Sequence, residues 1–250
     1  MIQTNIKHIN QYVIMIKMKQ FLLVSACCLV LYLPGNVNAQ NNAHEWANFK
    51  RYAQANNSLK EEGIPSKGVV FMGNSITEGW VRLHPEFFKD NGYIGRGISG
   101  HTSYQFLLRF REDVINLLPK VVVINAATND IAENTGPYNE DYTFGNIISM
   151  VELAKANEIK VILTTTLPAA VFGWRPEIKD APQKIEALNK RLKAYAKAHR
   201  IPFVDYYSQM VKEDSKALIP EYTKDGVHPT VEGYKVMESL IKPVIDKALH

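Results

Sequence analysis

Cysteine is nearly absent from this chain. Cys27 and Cys28 are its two cysteines in 250 residues, and they stand side by side. Both lie in an apolar segment near the N-terminus, residues 21–33. If that segment is removed, no disulfide, thiolate metal centre or cysteine nucleophile is left, which suits an oxidising compartment. Long apolar runs are also missing. The segment at 21–33 falls short of the roughly 20 residues that a membrane-spanning helix needs. No basic stripe is present either: the net charge of +4 is spread along the chain, which excludes a nucleic-acid partner on charge grounds. No H-E-x-x-H or comparable ligand spacing occurs, so no metal is expected. Internal repeats and long polar tracts are lacking too. The hydrophobic fraction of 46% is enough for a sizeable core.

The beginning of the chain reads as a leader. Lys17 and Lys19 precede the apolar segment, and Pro34, Gly35 and the small-residue pattern Val37-Asn38-Ala39 follow it. These are the three parts of a secretory signal, with cleavage expected between Ala39 and Gln40. Val24-Ser25-Ala26-Cys27 loosely resembles a lipid-attachment box, which leaves a lipoprotein modified at Cys27 as the alternative. The expected organisation is a leader over residues 1–39, an N-terminal helix and linker over 40–67, and one domain over 68–250.

Within that domain, apolar runs alternate with amphipathic stretches. Strands are expected at residues 69–72, 93–94, 121–126, 160–165 and 202–206. Helices are expected at 43–55, 104–118, 142–157, 182–199 and 231–248, with a polar linker at 56–67. Phe144, Ile147, Ile148, Val151 and Ala154 recur at helical steps. Strands that are apolar on both faces and separated by helices imply an α/β fold. Its sheet is parallel and five-stranded, with helices on both sides. Such sheets place sites at the C-terminal ends of their strands. Ser75, Gly100 and Asn129 stand just after such ends.

Each of these has an ordinary reading. Ser75-Ile76-Thr77-Glu78 fits a capping box, in which Ser75 and Glu78 would satisfy the free N–H groups of a helix start. Asn129 fits a turn. Gly95-Arg96-Gly97-Ile98-Ser99-Gly100 matches the dinucleotide fingerprint, but the strand before it is weak. The nearest acid after the next strand, Asp130, is 30 residues past Gly100 rather than about 20. No nucleotide cofactor is expected. The glycines would instead permit a tight turn and close backbone approach to something bound.

Lys224-Asp225-Gly226-Val227-His228-Pro229 holds one of seven histidines in a rigid polar turn beside a carboxylate. Acyl transfer needs a nucleophile, a base, a carboxylate that orients the base, and donors for the oxyanion. Ser75, His228 and Asp225 can fill the first three roles. The Ser75 and Gly100 N–H groups and the Asn129 amide can fill the fourth.

Four blocks in order carry a resemblance: Gly73-Asn74-Ser75-Ile76-Thr77, Arg96-Gly97-Ile98-Ser99-Gly100-His101-Thr102, Ala127-Thr128-Asn129-Asp130 and Asp225-Gly226-Val227-His228-Pro229. Together they resemble the SGNH, or GDSL-type, hydrolases over most of the chain after the leader. The resemblance implies a flavodoxin-like α/β/α sandwich and a cofactor-free serine esterase. Ser75 would be the nucleophile, His228 the base and Asp225 its partner, with Gly100 and Asn129 completing the oxyanion hole. Two residues depart from the family pattern: Asn74 replaces the usual acid, and Ala127 the usual Gly. Similar exported members remove acetyl groups from carbohydrates, which makes a glycan ester the expected partner. The candidate substrate contacts are Asn74, His101, Trp174 and Arg175. A lysophospholipase or thioesterase, or a carbohydrate-binding relative without catalysis, are the alternatives.

Overall fold

The computed structural model describes residues 44–63 and 68–250. The expected leader, with its cleavage site at Ala39 and the alternative at Cys27, lies outside them, as do residues 64–67 of the expected linker.

Strands β1 (Val69–Gly73), β2 (Tyr93–Gly97), β3 (Val121–Ile124), β4 (Lys160–Thr164) and β5 (Phe203–Val204) form one sheet in the order β2-β1-β3-β4-β5. Every pair is parallel, with Val69 opposite Tyr93 on one side and Val121 on the other. This is the flavodoxin-like order. Its switch point lies between β1 and β3, where successive connections leave for opposite faces and open a crevice. The turn carrying Ser75 follows β1, and the short helix α5 (Thr128–Ile131), which carries Asn129, follows β3.

Alternate side chains along each strand serve opposite faces. Val70, Met72, Val122 and Ile124 pack with helices α4 (Ser103–Asp113), α6 (Glu140–Ala156) and α7 (Ala181–Ala198). Val69, Phe71, Val121 and Val123 pack with α2 (Ser75–Leu83), α3 (Pro85–Asn91) and α9 (Val231–Leu249). The second layer is aromatic at its centre. Trp80 stacks on Phe87 and Tyr234 with ring centroids 5.3 and 5.4 Å apart, and its indole N–H donates to Glu238. The helix bearing Ser75 and the helix after His228 are thereby packed into one layer.

Several boundaries differ from the sequence expectation, each for a local reason. Helix α1 runs over Lys50–Glu62, through residues read as linker. Its polar side chains have partners: Asn56 is buried and donates to Asp113. The expected 104–118 helix ends at Asp113, and a separate turn, Ile115–Leu117, follows before Leu118 at φ 51°. Strand β2 continues through Gly97. Strand β5 is short because Asp205 accepts from the Ser208 N–H and caps α8 (Tyr206–Met210). A small antiparallel pair, β6 (Val211–Lys212) and β7 (Ala217–Leu218), was not expected.

The first two glycines of the fingerprint-like motif, Gly95 and Gly97, serve packing rather than a ligand. A Cβ on Gly97 would lie 2.3 Å from the Glu78 backbone nitrogen and 2.6 Å from the Asn74 carbonyl oxygen. One on Gly95 would lie 2.3 Å from Val81. The close approach expected there is made by the chain's own helix α2.

Candidate active site

At the end of β1 the chain turns so tightly that a Cβ on Gly73 would lie 2.0 Å from Thr77 Oγ1. Asn74 Oδ1 accepts from the Ile76 N–H at 3.0 Å and caps α2. The cap is therefore Asn74, and the expected Ser75–Glu78 capping box does not form. Ser75 is already the first helical residue, so its hydroxyl is free of the backbone. Asn74 itself is fully buried, which makes it a turn former rather than a substrate contact.

The Ser75 hydroxyl meets His228 across the sheet edge, with Oγ to Nε2 at 2.8 Å. His228 Nδ1 lies 2.6 Å from Asp225 Oδ2. An ionised carboxylate only accepts, so Nδ1 carries the proton, Nε2 is the acceptor and the serine hydroxyl donates. The turn that builds this pair is locally determined. Gly226 adopts φ +83°, a conformation glycine takes without penalty. Asp225 Oδ1 accepts the Val227 and His228 N–H groups at 2.9 and 2.8 Å. Thr223 Oγ1 donates to the His228 carbonyl at 2.9 Å and accepts the Gly226 N–H at 3.0 Å. Burial pushes the Asp225 carboxyl up, but the donors from His228 and Val227 outweigh it and bring it down to about 2. Asp225 is thus charged throughout the neutral range, as an orienting partner for an imidazole must be. Tyr234 ties the two halves together: its hydroxyl donates to the Ile76 carbonyl at 2.8 Å.

The other expected donors lie on neighbouring loops. Gly100 sits at φ +79°, and no acceptor within the described residues is recorded for its N–H. The Asn129 side chain is buried; its Nδ2 donates to the His101 carbonyl at 3.0 Å and keeps a second hydrogen. His101 is buried as well, and burial first, then the Arg109 charge, lowers its imidazole to about 4. It is neutral at pH 7, and the His101 backbone carbonyl, not the ring, helps position Asn129. The expected contact between His101 and substrate is replaced by this role, because its ring has little access to solvent.

Trp174 is 42% exposed, and its ring centroid lies 6.2 Å from that of His228. Its indole N–H donates to Asn134 Oδ1 at 2.9 Å, and Asn134 Nδ2 donates to the Gly100 carbonyl at 3.3 Å. Arg175 turns away, donating to the Glu133 carbonyl at 2.7 Å and to Glu177 at 2.5 Å. Its charge is committed to holding the loop, unlike the expectation that it would meet an acid group.

Beside the site, Arg109 is not among the candidates the sequence supplies, and Glu78 takes a role other than the expected one. Arg109 is fully buried on α4; it donates to the Gly73 carbonyl at 2.9 Å and to Asp113 at 2.7 Å. Its four-residue spacing from Asp113, on the face shared by Phe106 and Phe110, was the available signal. Glu78 was read as a cap partner, but its carboxylate turns to Ser99 and Arg51. Burial would raise Glu78; the hydrogen bonds from Ser99 and the Arg51 guanidinium outweigh it and hold it low.

Ala127 holds φ +83°, a region that costs a residue with a Cβ about 1–2 kcal/mol. Its position explains the family's usual Gly. Ala127→Gly is expected to leave the melting temperature unchanged or raise it, since relieved strain offsets the added chain entropy of about 0.4–1 kcal/mol. A fall in melting temperature of more than a few degrees, by differential scanning calorimetry, would contradict this.

Together Ser75, His228 and Asp225 can pass a proton from the Ser75 hydroxyl to the imidazole. The chain is 72% identical to a candidate acylhydrolase of Bacteroides fragilis NCTC 9343, whose crystal structure superposes with a TM-score of 0.79; the match covers 82% of this chain and 99% of that one. A GDSL-like lipase of Bacteroides thetaiotaomicron VPI-5482 is also 72% identical, with a TM-score of 0.79 over 81% of this chain and 98% of that one. At greater distance, the uncharacterized lipoprotein YqeF of Bacillus subtilis (strain 168) is 26% identical over 218 residues, 70% of this chain and 88% of YqeF. Residues 71–236, which run from within β1 into α9, match the model of the GDSL-like Lipase/Acylhydrolase family, and the chain belongs to that family.

Proposed function

We propose that this protein is an exported serine esterase that removes small acyl groups, acetyl above all, from carbohydrates. The observation that carries the catalytic part is the continuous chain from Ser75 Oγ to His228 Nε2 at 2.8 Å and from His228 Nδ1 to Asp225 at 2.6 Å. His228 takes the Ser75 proton as the hydroxyl attacks the ester carbonyl. Asp225 fixes the tautomer and stabilises the imidazolium that forms. The N–H groups of Ser75 and Gly100 and the Asn129 amide receive the oxyanion. His228 then protonates the departing alcohol, and water repeats the attack on the acyl-enzyme. The Ser75 N–H comes without rearrangement, because the first N–H groups of a helix have no partner within it.

Support for a sugar substrate is the half-exposed Trp174 ring beside His228, which offers an aromatic face for a pyranose to stack on. Support for export is the leader pattern together with the lipoprotein name of the Bacillus relative. Among the described residues no helix is long and apolar enough to cross a membrane.

The test is a series of p-nitrophenyl esters from two to twelve carbons, followed by acetate release from acetylated glycans. Highest kcat/KM at two to four carbons is expected, with acetate released from glycan. A preference for acyl chains of eight carbons or more would replace this reading with a lysophospholipase or thioesterase.

A further inference from the structure

The proposed oxyanion donor of Gly100 belongs to the peptide that joins Ser99 to Gly100, and the backbone groups flanking that peptide on both sides are held by side chains. At the far end, Asn134 donates to the Gly100 carbonyl. At the near end stands Glu78. Its Oε2 accepts the Ser99 N–H at 3.0 Å and also the Ser99 hydroxyl, while Oε1 accepts from Arg51 at 2.8 Å. Glu78 lies on α2, one helical turn after Ser75, so the two side chains share a rigid element. Gly97 lets β2 approach this turn closely enough for the contact, since any Cβ there would strike the Glu78 backbone. Arg51 comes from α1, before the family-matched residues 71–236.

From this geometry we propose that Glu78 is a positioning residue for acyl transfer: its carboxylate couples the Ser75 helix to Ser99, the residue before Gly100, and so aims the Gly100 N–H at the developing oxyanion. The inference rests on the proposed roles of Ser75 and Gly100. Glu78 touches neither nucleophile nor base. Gly100, at φ +79° and with nothing within 4 Å of where a Cβ would be, has no packing of its own to fix it. Its orientation therefore depends on neighbours that hold the flanking groups.

Reach and charge can be separated by substitution. Glu78→Asp keeps the charge but is one methylene short of Ser99. Glu78→Gln loses the charge but keeps an oxygen that can accept the Ser99 N–H. With p-nitrophenyl acetate, Glu78→Asp and Glu78→Ala are expected to lower kcat by about tenfold to a hundredfold, the effect of a displaced catalytic group, with KM within about twofold. Glu78→Gln is expected to stay within about threefold of the wild type. The rate of labelling of Ser75 by a fluorophosphonate should follow the same order, since that reaction also builds charge on an oxygen in the site.

Three results would overturn the proposal. One is a melting temperature that falls while kcat holds, which makes Glu78 merely structural. Another is a raised KM at constant kcat, which makes it a substrate contact. The third is Glu78→Gln as slow as Glu78→Asp. Should Glu78→Ala fail to fold, the Asp and Gln variants decide. Absence of any labelling in the wild type would instead overturn the Ser75 assignment on which the inference stands.

Discussion

Ser75→Ala is expected to lower kcat/KM on p-nitrophenyl acetate by at least about ten-thousandfold, the loss typical when a serine nucleophile is removed from a working triad. The size follows from the chemistry. Without Oγ no acyl-enzyme forms, and what remains is direct attack by water aided only by binding and the oxyanion donors. The folded state should hardly notice. Asn74, not Ser75, caps α2, so the helix keeps its N-terminal bonds. The lost hydroxyl has one side-chain partner, His228, which is partly exposed and can turn to water. A stability change within about 0.5 kcal/mol is expected, as for surface substitutions that break no buried network. The pair of measurements is steady-state hydrolysis and thermal unfolding, with fluorophosphonate labelling as a third readout. Retention of a tenth or more of the wild-type rate would remove Ser75 from the proposed mechanism, and loss of folding would leave the kinetics without meaning for it.

That prediction draws on residues visible in the chain before its structure. Asp225 and His228 lie in a short turn whose geometry is set by its immediate neighbours, and Ser75, Gly100 and Asn129 stand just after strands. Gly226 supplies a positive φ, Asx bonding folds Asp225 back onto the N–H groups of Val227 and His228, and apolar strands precede Ser75 and Asn129. Local sequence suffices for such turns. The sheet was legible for a similar reason: doubly apolar runs separated by helical periods admit few arrangements. What was not legible depends on partners distant in sequence. Glu78 at the fourth position of a Ser-x-x-Glu pattern looks like a cap, and only the approach of Ser99 and Arg51 turns its carboxylate elsewhere. Asn56 reads as linker until Asp113 and Arg96 are found against it. The fingerprint glycines have the spacing of a phosphate cradle, and the volume that Gly95 and Gly97 vacate is taken mainly by α2. Arg175 follows the same rule, since Glu133 lies far from it in sequence.

Arg109→Met is expected to destabilise the domain by about 3–5 kcal/mol, the cost of stranding one partner of a buried ion pair. Arg109 is fully buried, with its guanidinium divided between the Asp113 carboxylate and the Gly73 carbonyl. Met fills much of the stem's volume, so cavity formation contributes little and the loss is electrostatic. The carboxylate left behind would keep the Asn56 amide, at 2.8 Å, as its nearest neutral donor. At about 2–4 °C per kcal/mol for a domain of this size, the melting temperature should fall by on the order of 10 °C. The double variant Arg109→Met/Asp113→Leu removes both charges and should recover most of the loss, because buried pairs are commonly replaceable by apolar residues. The Gly73 carbonyl would still accept the Ile98 N–H at 3.2 Å, so it is not orphaned. Single and double variants thus form a cycle whose coupling energy is the stability at stake. A single variant within about 1 kcal/mol of wild type, or a double variant worse than the single, would show that the pair does not hold α4 against the Ser75 turn. The double variant also separates stability from rate. If it folds as firmly as the wild type yet hydrolyses p-nitrophenyl acetate more slowly at unchanged KM, then the guanidinium bond to Gly73, two residues before the proposed nucleophile, sets the position of Ser75 as well as the strength of the fold.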